Sequence, residues 1–255
     1  RIQKRHADRG TSGCVCPVPA PRRVRMVACP AGHHAVSTAV SPTKSVFVYA
    51  ETLYPTPAPG GDATARQLWP AARAAARCVT RLVALLSPGQ TVVVLELGAG
   101  LGAPSLAAAA AGASAIATDY DASSLDCVRR AAQAQGLCVE ARLLDLLDAE
   151  PLPQADVYVF ADVCGGNALE AAVDVRVTEA LRSDALVLVA TQRDRPQRNR
   201  LERLRDGLAG DGASRYEGEA AVLSRAADAV ARGAGELLLL DVDEDDAALY
   251  ARADG

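Results

Sequence analysis

The stretch Thr91–Leu97 is β-prone throughout, carries a single acid (Glu96), and runs directly into Gly98-Ala99-Gly100-Leu101-Gly102. Pro104 then opens an Ala-rich segment that ends near Gly112. An uninterrupted apolar strand is covered on both faces, which calls for a parallel sheet with helices on each side. Proline is tolerated in the first turn of a helix, where its missing N–H has no intrahelical partner to lose. The segment therefore reads as strand, glycine turn and helix.

The same alternation continues along the chain. Ser114–Thr118 is a short strand ending at Asp119, and Asp121 caps a helix with Leu125, Val128 and Ala132 on one face, stopped by Gly136. Further strands are expected at Val139–Leu144, Val157–Ala161, Ala185–Thr191 and Leu237–Asp241, with helices around Leu169–Leu181 and Ala220–Arg232. Ahead of the glycine turn, Val46–Tyr49 is β-prone and a Pro/Gly-rich loop spans Pro55–Gly61. A helix follows with Leu68, Ala72, Ala75, Val79, Leu82 and Leu86 at helical spacing. Such a βαβαβ series gives an α/β fold with a doubly wound parallel sheet, whose ligands sit at the carboxyl ends of the strands.

Charge divides the 255 residues into two parts. Residues 1–44 hold eight Lys/Arg and one acid, Asp8, for a net +7, whereas 45–255 hold 19 basic and 30 acidic residues, for −11. Lacking an apolar period, 1–44 reads as a basic, Pro-rich arm, a disordered extension or a transit segment, and 45–255 as the folded domain. The acidic body argues against nucleic-acid binding, which needs a basic face. Charges, Gly or Pro interrupt every apolar run short of the roughly 18 residues of a membrane span. Cys78, Cys127, Cys138 and Cys164 fall in segments that read as core, favouring a reducing compartment. The expected location is the cytoplasm, or a mitochondrion or plastid if the arm is a transit segment. Cys14, Cys16, Cys29, His33 and His34 follow no common zinc spacing, so no metal is expected.

Gly98-x-Gly100-x-x-Ala103 also satisfies the dinucleotide pattern, in which glycines let the backbone approach a pyrophosphate. Glu96, two residues earlier, would repel a pyrophosphate but could accept from an amino acid's ammonium group. Asp119 ends the second strand, placed for ribose hydroxyls. Asp145 follows the third, placed either for an adenine amino group or as part of a solvated acidic loop with Asp148 and Glu150. Together these describe S-adenosyl-L-methionine better than NAD.

Leu68-Trp69-Pro70-Ala71-Ala72, the segment from Glu96 through Pro104-Ser105, and Thr118-Asp119-Tyr120 resemble the class I, seven-β-strand S-adenosylmethionine-dependent methyltransferases. The similarity is greatest to the protein-lysine methyltransferases of the nicotinamide N-methyltransferase-like branch, over about residues 66–191. The resemblance implies a Rossmann-like doubly wound sheet of seven strands, mostly parallel with an antiparallel last strand. It implies cofactor contacts at Trp69, Glu96, Gly98, Gly100 and Asp119, with Asp145 and Leu146 at the adenine edge and Ala161 and Asp162 beside the methionine moiety. By composition alone the sole Trp, Trp69, is as readily a core residue. The implied reaction is methyl transfer to a nitrogen nucleophile, a protein lysine.

These relatives often place Phe or Tyr three residues after the Asp that ends the fourth strand, whereas Asp162-Val163-Cys164-Gly165 has Gly there. A lysine must lose a proton before attack, so Asp162 is the candidate catalytic residue that orients or deprotonates the amine. Its alternative role is to cap the next helix. All three His (His6, His33, His34) lie in the arm, which leaves Cys164 without a partner base in the folded part. The six Arg between Arg193 and Arg205 form either a solvated helix face or a dock for an acidic partner. The missing aromatic and the basic arm also suit a second reading, an eroded methyltransferase fold serving as scaffold or assembly subunit of a larger complex.

Overall fold

Hydrophobic period switches between two and 3.6 along the chain, and the secondary structure follows it. The computed structural model describes residues 33–51, 67–163, 166–192, 198, 200–204 and 216–242. Its elements are β1 (His33–Ser41), β2 (Lys44–Glu51), α1 (Pro70–Leu86), β3 (Val93–Leu97), α2 (Ala103–Ala110), β4 (Ser114–Asp119) and α3 (Ala122–Gln135). They continue with β5 (Val139–Leu143), β6 (Val157–Ala161), α4 (Gly166–Arg182), β7 (Leu186–Thr191), α5 (Glu219–Arg232) and β8 (Glu236–Asp241).

Six strands form one sheet in the order β5-β4-β3-β6-β7-β8, every pair parallel. The chain winds outward from β3 to β5, then crosses to β6 and winds the other way. The strand order therefore reverses between β3 and β6, where a crevice opens at the carboxyl ends. Alternate strand residues separate into two cores. Val94, Val157, Val159, Leu188 and Leu238 pack beneath α1 and α5. Leu95, Leu97, Tyr158, Phe160, Val187 and Leu239 pack beneath α4.

Two expectations are corrected. The last described strand of the sheet is not antiparallel: β8 lies parallel to β7, with Val187 opposite Leu237 and Thr191 opposite Asp241. Parallel pairing requires a crossover that returns the chain to the starting end, and α5 supplies it. Six strands of the sheet lie among the described residues.

The second correction concerns the boundary at residue 44, which lies inside a hairpin. β1 pairs antiparallel with β2, Val36 opposite Val48 and Thr38 opposite Val46. Ala35, Ser37 and Ala39 are exposed while Thr38 and Val40 are buried. That alternation is drawn in small residues, which carry almost no hydropathy contrast. Residues 1–32, with Cys14, Cys16 and Cys29, lie outside the described residues.

The hairpin forms a further layer. Val40, Val46, Val48 and Tyr49 pack on Leu106 and Ala107 of α2 and on Ala131 and Ala132 of α3. This explains why α2 is apolar all round: the sheet covers one side and the hairpin the other. Gln135 ties the layers together, its amide oxygen accepting from Phe47 N–H and its amide nitrogen donating to Phe47 C=O, both at 2.9 Å. The Lys44 ammonium donates to the Ala110 carbonyl at the C-terminal end of α2, where the helix dipole favours a cation.

The expected Asp121 cap is present, its carboxylate accepting from Ser123 N–H, and Gly136 ends α3 in the left-handed region. Cys78 and Cys127 are buried as expected, but Cys138 is exposed, and Cys164 lies outside the described residues. Among the described residues no helix is long and apolar enough to cross a membrane.

Candidate functional site

The glycine turn after β3 builds the floor of the crevice. Gly98, Gly100 and Gly102 all have positive φ, at 65°, 50° and 70°. At two of them a side chain would also collide: a Cβ on Gly98 would lie 2.8 Å from Val163 Cγ2, and one on Gly102 2.7 Å from Val128 Cγ2. The turn is anchored to β4 by Ala99 N–H, which donates to Thr118 C=O at 2.9 Å, while Thr118 Oγ1 donates to Glu96 C=O at 2.7 Å.

A cavity of about 400 Å³ lies over this turn, within the range of small-molecule sites. Every residue expected at the cofactor lines it: Trp69, Glu96, Gly98, Gly100, Asp119, Asp145, Leu146 and Ala161, together with Asp162. Glu96 comes from β3 and Gly98 and Gly100 from the turn after it, Asp119 from the end of β4, Asp145 and Leu146 from the loop after β5, and Ala161 and Asp162 from the end of β6 and the residue after it. Trp69 enters from the other side as the N-cap of α1. The acidic residues of the walls are Glu96, Asp119, Asp145 and Asp162, with no Lys, Arg or His among the described lining residues.

Glu96 is buried, at 1% exposure. Its Oε2 accepts from the backbone N–H of Ser105 at 2.9 Å and from the Ser105 hydroxyl at 2.5 Å. The N-cap of α2 is Gly102, which has no side chain to offer. Glu96 therefore caps the helix from the preceding strand, a role its sequence position does not announce. Burial pushes its carboxyl up to about 8, against the two hydrogen bonds from Ser105 and with an added push from the Asp119 charge.

Asp119 uses both carboxylate oxygens to hold the turn. Oδ2 accepts from Gly100 N–H at 2.7 Å and Oδ1 from Asp121 N–H at 2.9 Å. A carboxylate offers about four acceptor directions, so these bonds are compatible with further donors from a ligand. Asp145 Oδ1 accepts from Leu147 N–H at 2.9 Å, shaping the loop after β5.

Asp162 stands at φ 54°, a left-handed conformation rare outside glycine. Its backbone N–H donates to Ala190 C=O, and its carboxylate accepts from both the backbone N–H and the side-chain amide of Gln192, just past β7. α4 begins at Gly166, four residues on, so Asp162 does not stand at its N-cap.

This architecture is shared with known enzymes. No protein-family model and no curated relative matches the sequence. Among solved structures, the chain is similar to the 16S rRNA N2 G1207 methyltransferase of T. thermophilus in complex with AdoMet and guanosine, with 21% identity and a TM-score of 0.50. That alignment covers 68% of this chain and 46% of the other, so the chain spans just under half the length of that protein. Weaker likenesses extend to the Pyrococcus abyssi tRNA (uracil-54, C5)-methyltransferase in complex with S-adenosyl-L-homocysteine (13% identity, 56% and 32% covered, TM-score 0.36). They extend also to the precorrin 8W decarboxylase of Methanobacterium thermoautotrophicum (19% identity, 51% and 69% covered, TM-score 0.39). The fold is that of a Rossmann-like methyltransferase.

Four residues at or beside this site have no assigned role in the sequence reading. Tyr120 and Leu147 line the cavity and are the large exposed side chains of its rim, at 57% and 58% exposure. Their signal was adjacency, since each follows closely on an acid at a strand end. Ser105 sits nine residues after Glu96, and only the folded turn brings them together. Gln192 has no sequence signal at all, because its partner lies 30 residues away. Part of the arginine-rich stretch, including Arg198 and Arg200, lies among the described residues. Arg198 donates to Thr191 C=O and to Asp241 and stacks 3.7 Å over the Tyr216 ring, while Arg200 pairs with Glu170 and Asp174. These two guanidiniums bind the chain internally rather than facing solvent alone.

Proposed function

We propose that the chain is an S-adenosyl-L-methionine-dependent methyltransferase acting on an amine nitrogen, the side chain of a protein lysine. The acidity of the cavity carries this reading: the carboxylates of Asp119, Asp145 and Asp162, the carboxyl of Glu96, and no base among its described lining residues. S-adenosylmethionine brings a sulfonium and an ammonium against a single carboxylate, so acidic walls attract it. The pyrophosphate of a dinucleotide would meet the same walls with repulsion. The crowding at Gly98 fits a turn whose backbone must lie close to a ligand.

In this reading Glu96 faces the ammonium group, Asp119 receives ribose hydroxyls, and Asp145 with Leu146 borders the adenine. Trp69, Gly98, Gly100 and Ala161 supply the remaining walls. When bound, the cofactor supplies an electrophilic methyl group. Asp162 then orients the incoming amine and receives its proton directly or through water, with Gln192 holding the carboxylate in place. Acidic walls suit a cationic amine for the same reason that they suit the cofactor.

Calorimetry of S-adenosylmethionine on the wild type, Gly98→Arg and Asp119→Ala tests the cofactor. Binding by the wild type that both variants lose supports the reading. A folded wild type without binding overturns it and leaves the fold as a scaffold. Labelled methyl donor, offered with protein and RNA fractions, tests the acceptor. Label recovered on lysine side chains supports the assignment, and label confined to RNA bases overturns it.

A further inference from the structure

One buried cation lies behind the cavity wall. Arg176 of α4 is only 4% exposed, and it occupies the apolar stripe formed by Val173, Val177 and Ala180. Its guanidinium points into the loop that follows β5. Nε donates to Leu146 C=O at 3.2 Å, Nη1 to Glu150 C=O at 2.9 Å, and Nη2 to Asp148 C=O. Nη1 also donates to Glu179 Oε2 at 2.8 Å, and the other oxygen of Glu179 accepts from Leu152 N–H at 2.7 Å. The loop is thus held at alternate residues 146, 148, 150 and 152 by one ion pair.

The loop is also a wall of the cavity. Leu144, Asp145, Leu146 and Leu147 line it, and Asp145 braces Leu147 from within. Burying a guanidinium is costly unless its donors are paired, and here three donor bonds hold carbonyls of this one segment while a fourth goes to Glu179. Arginine's rigid planar fork suits three carbonyls at once, which the point charge of lysine does not.

We propose that Arg176 is a positioning residue that sets the adenine-facing loop and with it the selectivity for the purine edge of the cofactor. This rests on the cofactor reading above. S-adenosylhomocysteine and its inosine counterpart differ only at one purine edge, where the 6-amino group becomes a carbonyl and N1 gains a hydrogen, so the ratio of their affinities reports contacts to that edge. A merely structural role would weaken both ligands together and leave the ratio unchanged.

The test is calorimetry of both ligands on the wild type, Arg176→Gln, Arg176→Lys and Glu179→Gln. The wild type should prefer the adenine compound, and Arg176→Gln should lose about tenfold of that preference, the worth of roughly one well-made hydrogen bond. Arg176→Lys should fail to restore it, and Glu179→Gln should show a smaller loss in the same direction. If Arg176→Gln does not fold, Glu179→Gln decides the matter by the same ratio. An unchanged ratio in the folded variants overturns the role of Arg176. A wild type that binds neither compound overturns the cofactor reading instead, so the two failures are distinguishable.

Discussion

Glu96→Gln isolates the most unusual group in the fold. The Glu96 carboxyl ionises near an ordinary value of 4.5 in the unfolded chain and near 8 when folded, because burial outweighs the two hydrogen bonds from Ser105. Folding therefore tightens its hold on a proton. The stabilisation linked to that proton is fully present below about pH 4.5 and is lost as the pH rises through about 8. At about 1.4 kcal/mol per pH unit, the whole window is worth roughly 5 kcal/mol. Glutamine keeps an oxygen for Ser105 and has nothing to titrate.

Urea unfolding of wild type and Glu96→Gln at pH 5.5, 6.5 and 7.5 measures the difference directly. Wild-type stability should fall relative to the variant by about 1.4 kcal/mol per pH unit across that range. Other titrating groups cancel in the comparison. Parallel stability curves would refute the argument, since they would mean that Glu96 is already ionised in the fold. The same linkage reaches the ligand. A cationic cofactor favours the ionised carboxylate, so binding near pH 7 should release up to about one proton. Calorimetry in buffers of different ionisation enthalpy should show that release in the wild type and none in Glu96→Gln.

Three further outcomes are expected. Gly102→Ala should cost about 1–3 kcal/mol, from its φ of 70° and the 2.7 Å approach to Val128 Cγ2; adding Val128→Ala should recover the steric share in a double-mutant cycle, and strict additivity would show the clash is absent. Gln192→Leu should slow methyl transfer by about tenfold while cofactor affinity holds, because Gln192 touches Asp162 and not the turn; equal loss of both would remove its positioning role. Val48→Ala, at a fully buried site of the hairpin, should destabilise the chain by about 2 kcal/mol in chemical unfolding. No change would show that the hairpin is a loose arm after all.

The parallel sheet and the acids at the carboxyl ends of its strands were legible because both obey local rules. β3 announces itself by an apolar run broken only by Glu96, and the turn after it by glycines that the fold needs at φ 65°, 50° and 70°. Strand ends in such a fold point at one crevice, so locating Glu96, Asp119, Asp145 and Asp162 required only the strand boundaries. The hairpin was not legible. Its inward face alternates with Ala and Ser, and its reason for existing is the outer surface of α2, which no neighbouring residue reports. The direction of β8 was equally hidden, since a strand's sequence is the same whichever way it runs, and only the crossover through α5 decides it.

The hydrogen-bonding partners show where sequence reading stops. Glu96 was expected to reach outward to a ligand, yet its Oε2 faces inward to cap α2. The two roles are compatible: a carboxyl that burial pushes up to about 8 would give up its proton if a cationic ligand arrived as proposed. Arg176 makes the complementary case. An arginine on the apolar stripe of α4 was a visible anomaly, one that a search for charge on core faces would have flagged. Its meaning needed the loop 30 residues earlier, which only the fold brings within 3.2 Å. The acids of the crevice therefore surface in the local pattern, while the residues that hold them in place are set by contacts across the chain.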